Sequence, residues 1–347
     1  MFWLVDIFKF IFSLAIVALH SWFLGQYRDW LYPVFYYSAV PYFFIASGFF
    51  FAKKYYDKGY SKDIYRNFCK RLCNKLMVFE PITQLQVIII LALGGATVQT
   101  IMIDTIQHIV FYPLGALWYI QAIIVAGFLL VPFIKYHKEK YIIPLGFILF
   151  SFALICGRYY FLIENIPSIK IIVDNYLKYC ISPKNGLFIG FLYVGIGVVA
   201  AKNWNFTTCK FKFKNINIIL LISTILFFIE LLLIYNYEGL EDGQYYLTQP
   251  LFVGSIFLFS AQYYEIPSTN PIHKLSYCGI LRNMSISIYL LHAPVQRCFI
   301  LFEDIIGIHL AIFGNSYSLF VLTLCCTLLI IYPIYLNKTK YLYSWLT

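Results

Sequence analysis

Long apolar runs separated by short polar segments dominate the chain. Ten runs approach the roughly 20 residues that a helix needs to cross a bilayer: Trp3–Leu24, Phe35–Ala52, Pro81–Ile103, Leu114–Ile134, Tyr141–Cys156, Leu187–Ala201, Ile216–Tyr235, Tyr245–Tyr264, Met284–Leu301 and Tyr317–Leu336. The fifth and sixth are short and read as tilted spans. The runs are too long and too continuously apolar for barrel strands, which alternate over about 10 residues. The pattern predicts an all-α integral membrane protein with about ten transmembrane helices in one bundle. Ten spans take up about 200 residues, so residues 1–347 read as one polytopic domain with no appended soluble domain. The start, MFWLVDIFKF, has no basic n-region and no small-residue cleavage site follows, so the first run reads as a retained helix. Between spans, Tyr55–Lys75 interleaves basic and apolar residues, which suits an amphipathic helix at the interface. The segment Gly157–Gly186, with Pro167 and Pro183, reads as the longest outer loop and a partial cover for an outer cavity.

Charge gives these helices a direction. Residues 53–80 carry Lys53, Lys54, Lys58, Lys62, Arg66, Lys70, Arg71 and Lys75. Lys135, Lys138 and Lys140, then Lys202, Lys210, Lys212 and Lys214, then Lys274, Arg282, Lys338 and Lys340 fall on the same side of a ten-helix path. The opposite loops hold only Arg28, Arg158, Lys170, Lys178 and Lys184. The positive-inside rule then puts both termini in the cytoplasm of a multi-pass protein of the cell (inner or plasma) membrane. Composition agrees: the chain is 61% hydrophobic and 12% charged with mean hydropathy +0.75, values that exclude a water-soluble surface. The net charge of +10 is explained by this sorting and does not indicate nucleic acid. The nine cysteines show no metal-ligand spacing, so no metal site is expected.

Ionisable residues within spans are costly, which makes each a functional candidate. The first run carries Asp6, Lys9 and His20. Lys9 and His20 are close to three helical turns apart, so they share a face with about 16 Å between them along the axis. Asp6, three residues before Lys9, is placed to pair with it. Further along, AVPYFFIASGFFF places Ser47-Gly48 in an aromatic helix, GALWYIQ contains Trp118, and SISIYLLHAP sets His292 mid-helix. Each is weak alone: Ser-Gly occurs at ordinary helix contacts, Trp118 suits an interfacial belt, and a lone His can simply bond a neighbouring helix.

Taken in order, these segments resemble the acyltransferase 3 family of membrane O-acyltransferases. The matching residues are Asp6, Lys9 and His20 in DIFKFIFSLAIVALH, Pro41, Ser47 and Gly48 in VPYFFIASGFFF, the stretch CKRLCNK, Trp118 and His292. The resemblance implies transfer of an acyl group, usually acetyl from cytosolic acetyl-CoA, to a hydroxyl of an extracytoplasmic glycan or lipid-linked sugar. Acetyl-CoA is then a co-substrate, and no tightly bound cofactor is implied. Two departures stand out. The family usually has Arg where this chain has Lys9, and an ammonium cannot form a guanidinium's bidentate fork. The basic stretch is also not followed at once by the usual proline, since Pro81 comes later.

The chemistry of the residues fits this implication. A cytoplasmic Lys/Arg cluster suits the polyphosphate handle of an acyl-CoA. Acyl transfer to an alcohol needs a base, and His has the pKa for that task near neutrality. Charge developing on the thioester oxygen needs donors, for which Lys9, Trp118 and Tyr119 are available. The candidate site is His20 and Lys9 as catalytic residues, with Asp6, Ser47, Arg71, Lys75, Trp118 and His292 binding donor or substrate. With no GxSxG-like motif, direct transfer is favoured over an acyl-enzyme. Arg297 and Glu230 read first as snorkelling residues and second as lining of an acceptor cavity. Arg28 and Asp29 read as a solvated pair, and His108, His137, His273 and His309 carry no assigned role. The alternative function is a transporter or flippase for a lipid-linked sugar or small solute, because intramembrane His and Lys also suit proton coupling. Against it, no Gly/Pro-broken segments recur in corresponding halves.

Overall fold

The computed structural model describes residues 2–59, 61–205, 210–211, 215–235, 237, 244–264, 274–307 and 311–337. His273, His309, Lys212, Lys214, Lys338 and Lys340 lie outside them, as do the side chains of Arg28, Asp29, Lys210 and Lys274. The main helices are α1 (Trp3–His20), α2 (Tyr37–Lys58), α3 (Lys62–Leu93), α4 (Val98–Val110), α5 (Leu117–Lys135) and α6 (Ile142–Ile155). They continue as α7 (Pro167–Cys180), α8 (Phe191–Lys202), α9 (Ile216–Leu233), α10 (Gln249–Gln262), α11 (Lys274–Ile306) and α12 (Ser316–Asn337). Single π-helical turns at Tyr32–Tyr36 and Gly186–Gly190 lead into α2 and α8. The strands among the described residues are a two-residue antiparallel pair, Trp204–Asn205 with Lys210–Phe211.

Seven of the helical segments are long and apolar enough to cross a membrane. Three of the ten expected spans fold as shorter helices: α6 and α10 have 14 residues each, and Gly186–Lys202 is a shorter apolar helix. At 1.5 Å per residue, 14 residues cover about 21 Å, less than a hydrocarbon core of about 30 Å.

Helix α3 differs most from expectation. The basic stretch and the third predicted span form one 32-residue helix, started by Ser61, whose side chain accepts from the Asp63 N–H. The separate interfacial helix expected over Tyr55–Lys75 is therefore split between the end of α2 and the first half of α3. The expected end of the span at Ile103 is also displaced. The chain turns at Gly94–Gly95, with Gly95 at φ +78°, and restarts as α4 after the Thr97 cap. Gly157–Gly186, expected to be a loop, holds α7, with Pro167 in its first turn where the missing N–H costs nothing.

Helix α2 is the centre of the bundle, packed against α8, α1, α10 and α5. Its apolar residues run all round it, the signature of a fully enclosed helix, and Ala39, Tyr42, Phe44, Ile45, Ala46 and Phe49 are completely buried. Its approach to α8 is backbone on backbone. A Cβ on Gly48 would lie 2.1 Å from the Val194 carbonyl oxygen, and one on Gly197 would lie 2.1 Å from that of Ile45. Small residues permit this kind of contact between membrane helices. Gly48→Val should therefore force α2 and α8 apart and destabilise by about 1–3 kcal/mol. A thermal melt in detergent reads this as a lower midpoint, and an unchanged midpoint contradicts the contact.

Outer helices invert the pattern of a soluble protein. On α9, Ile218, Leu221, Ile222, Leu232 and Leu233 face outward, while Ser223 and Glu230 turn inward. Ser223 pairs with Ser255 of α10 at 2.6 Å. Glu230 accepts hydrogen bonds from the Tyr159 and Thr248 hydroxyls and from the Leu247 and Thr248 N–H groups. Glu230 thus turns inward to pin the start of α10 and does not snorkel, and it lines neither of the cavities at the two ends of α1.

A second tie closes the opposite end of the bundle. Glu139, between α5 and α6, is buried and accepts from Lys202 and from the Tyr56 hydroxyl, each at 2.8 Å. Burial alone would raise its pKa, but the Lys202 and Tyr56 bonds outweigh it and hold the carboxyl below its usual range. A depressed folded-state value means that the stabilisation is present above the unfolded pKa of about 4.3 and is lost as pH falls through the folded value. Glu139→Gln should flatten this acid limb of the melting midpoint against pH. A limb identical to the wild type would show that other carboxylates cause it.

Candidate functional site

The candidate residues gather around α1, which runs between two cavities. Lys9 opens into a cavity of about 760 Å³, and His20, at the other end of the helix, opens into one of about 140 Å³.

The larger cavity brings four of the predicted residues together: Lys9, Ser47, Arg71 and Lys75 all line it. The Lys9 ammonium sits 4.7 Å from the centre of the Phe50 ring, a cation–π placement. Lys54 and Lys58 at the end of α2 add positive charge, and Asn67 and Asn74 add amides. Asp63 is the acidic member of the lining. The signal for the additional residues is visible once α3 is known to be continuous. Asn67, Arg71, Asn74 and Lys75 recur at spacings of three and four and share one helix face.

Asp6 departs from expectation. It is buried and does not line the cavity, and it forms no direct ion pair with Lys9 among the described residues. The i, i+3 spacing allowed a pair, but the Lys9 side chain extends to Phe50 and the cavity. Asp6 remains behind it, within electrostatic reach of both Lys9 and Arg282.

The cavity at the far end of α1 is lined by His20, Tyr36, Trp118, Lys184, Tyr245 and Tyr289. Trp118 and His20 therefore share a wall, and Trp118 stacks on Tyr112 with ring centroids 6.2 Å apart. Lys184, placed in an outer loop by charge sorting, is 5% exposed and faces this cavity. His292 lies beside His20 with ring centroids 5.2 Å apart. The two differ in access: the His20 side chain is exposed to the cavity, whereas His292 is wholly buried. His292 Nδ1 lies 3.1 Å from the Ile288 carbonyl oxygen, to which it donates when that nitrogen bears the proton. The sequence offered two candidate bases, and in the fold they are one pair with only one member reachable.

A layer of aromatic rings separates the cavities. Ser47 Oγ, on the larger cavity, is 3.0 Å from the Tyr119 hydroxyl. The Tyr119 ring lies 5.2 Å from Tyr289, which lines the smaller cavity and donates to the Ala116 carbonyl oxygen at 2.8 Å. Phe43 packs on both tyrosines. The path from Lys9 to His20 thus passes a hydroxyl pair and three rings. Ser47 has no basic partner in this arrangement, consistent with a lining role and not that of a nucleophile.

Arg71 and Lys75 together supply much of the positive charge on the α3 wall. If this cavity takes an acyl-CoA, as the sequence resemblance implies, neutralising both (Arg71→Gln, Lys75→Gln) should weaken acetyl-CoA binding about tenfold or more in low salt, with the gap to wild type narrowing as salt rises. Isothermal titration at two ionic strengths checks this, and equal affinities in low salt would remove both residues from a donor site.

A family model described as an acyltransferase domain matches residues 3–336, nearly the whole chain. No curated protein and no solved structure matches it.

Proposed function

This chain belongs to the acyltransferase 3 family, and from that premise we propose that it is a membrane O-acetyltransferase. It moves an acetyl group from cytosolic acetyl-CoA to a hydroxyl of an extracytoplasmic or lipid-linked glycan. The observation that carries this reading is the pair of cavities joined by α1, one cationic around Lys9 and one polar-aromatic around His20. Positive-inside sorting of the loops supports a cytoplasmic position for the cationic cavity, on the side where acetyl-CoA is found.

The donor's phosphates occupy the Lys54, Lys58, Arg71 and Lys75 wall as charge-assisted partners. Its extended pantetheine arm runs along α1 past Lys9 and Ser47, which requires Tyr119 to swing aside from Ser47. The thioester then reaches the His20 end, about 16 Å along the helix. His20 takes the proton of the acceptor hydroxyl as that oxygen attacks the thioester carbonyl carbon. The C–O bond forms, the C–S bond breaks, and His20 returns the proton to the departing CoA thiolate. Tyr119 and Trp118 are the nearby donors for the negative charge that develops on the carbonyl oxygen. No covalent acyl-enzyme is required.

Purified protein supplied with acetyl-CoA labelled in the acetyl group, together with a lipid-linked saccharide extract, tests this. Label is expected in the saccharide fraction. Movement of unacetylated saccharide across the bilayer with no label transferred would instead identify a transporter.

A further inference from the structure

Beyond the cavity wall at Gly115 lies a polar cluster that the mechanism does not use. Arg297 of α11 neither snorkels nor pairs directly among the described residues. Its guanidinium rests against Gly115, where a Cβ would come within 3.1 Å of Nη2, and Nη1 is sealed from solvent without a partner among the described residues. Gly115 has φ +61° and lines the His20 cavity, so the guanidinium packs, beside Ala293, against a wall residue of that space that has no side chain. Glu80 of α3 lies within electrostatic reach of Arg297. One Glu80 oxygen accepts from Gln84 Nε2 at 2.8 Å, and the other is sealed without a partner. Gln84 and Gln86 are 6% and 8% exposed, and each has an Oε1 with no partner. The Gln86 amide nitrogen meanwhile holds the Pro294 carbonyl oxygen at 3.0 Å.

Four sealed polar atoms without partners among the described residues, one cationic donor and three acceptors, are expensive inside a membrane protein. A ligand that both donates and accepts many hydrogen bonds removes that cost. A saccharide has this character, and its apolar ring face suits the stacked Trp118–Tyr112 pair on the neighbouring wall. We propose that Arg297, Glu80 and Gln84 form a subsite for the acceptor saccharide, holding a sugar ring next to the one whose hydroxyl meets His20. This rests on the acetyltransferase reading above and extends it. Gln86 fixes α3 to α11 at the edge of the subsite. Opening the subsite requires only that the Arg297 side chain move off Gly115.

The test uses full-length protein in nanodiscs, labelled acetyl-CoA and the lipid-linked saccharide extract. Gln84→Leu and Arg297→Lys should each raise KM for the extract about tenfold or more while leaving acetyl-CoA affinity unchanged. Gln84→Leu is close in volume and removes a buried amide, so it keeps the test meaningful if Arg297→Lys fails to fold. Transfer with unaltered KM for the extract would overturn the subsite and leave the function standing. Absence of transfer by the wild type would overturn the function and the subsite with it.

Discussion

His20→Ala is expected to lower turnover by about 10²-fold or more, the usual scale for loss of a general base, while acetyl-CoA binding persists. The protein should remain folded, because the backbone hydrogen bonds of a helical bundle are satisfied within each helix and do not depend on this side chain. The proposed donor contacts lie at the other end of α1, in the cavity lined by Lys9, Arg71 and Lys75, so the loss should appear in kcat. The neighbouring His292 makes the prediction specific. It lies against His20 but is wholly buried and engaged with Ile288, so in the proposed mechanism it orients its neighbour and His20 meets the substrate. His292→Ala should therefore cost less than His20→Ala. His292→Gln, which keeps a polar group on the Ile288 side, should recover part of the loss. Near wild-type turnover in His20→Ala with a collapse in His292→Ala would put the base on α11.

Lys9→Met should be the second severe change. The ammonium lines the larger cavity, held over Phe50, and is the cation that α1 itself contributes to it. Its removal takes away the positive charge at the point where the donor leaves the phosphate wall and enters the helix bundle. We expect turnover to fall about 10²-fold, comparable to loss of a single electrostatic contact in an active site, with a weaker effect on acetyl-CoA affinity than the Arg71/Lys75 double change. Lys9→Arg should retain most activity, given that the family usually carries Arg at this position. Methionine has nearly the same length and should not disturb packing. A Lys9→Met enzyme with unchanged kcat would make Lys9 a bystander of the positive-inside pattern.

Much of this was legible in the sequence, for physical reasons that differ by residue. The all-helical fold follows from continuous apolar runs, and Lys9 and His20 on one face follow from their spacing. Ser47, Arg71 and Lys75 were identified singly, and the fold brings them to Lys9 in one cavity. The end of the third span was not legible, because apolar residues continue past Gly94–Gly95 into α4 and hydropathy alone does not register the turn. Lys54 and Asn67 were missed because the helix expected over Tyr55–Lys75 was read as interfacial and separate from the third span, and nothing in its spacing turned a face toward Lys9. Lys184 was missed because a charge beside a proline in an outer segment looks solvated, and only the packing of that segment shows otherwise. The roles of the two histidines required tertiary structure, since no spacing relates residue 20 to residue 292. Asp6 shows the converse: its spacing permitted a pair with Lys9 that side-chain direction did not deliver.

In the proposed mechanism donor and acceptor meet from opposite ends of α1. Proteoliposomes sorted for one orientation, with acetyl-labelled CoA confined to one side and the lipid-linked saccharide extract in the bilayer, test it most directly. Label is expected on the saccharide only when the donor is on the side bearing the Arg71–Lys75 wall, and none in His20→Ala vesicles. Equal labelling from a donor confined to the His20 side would contradict it.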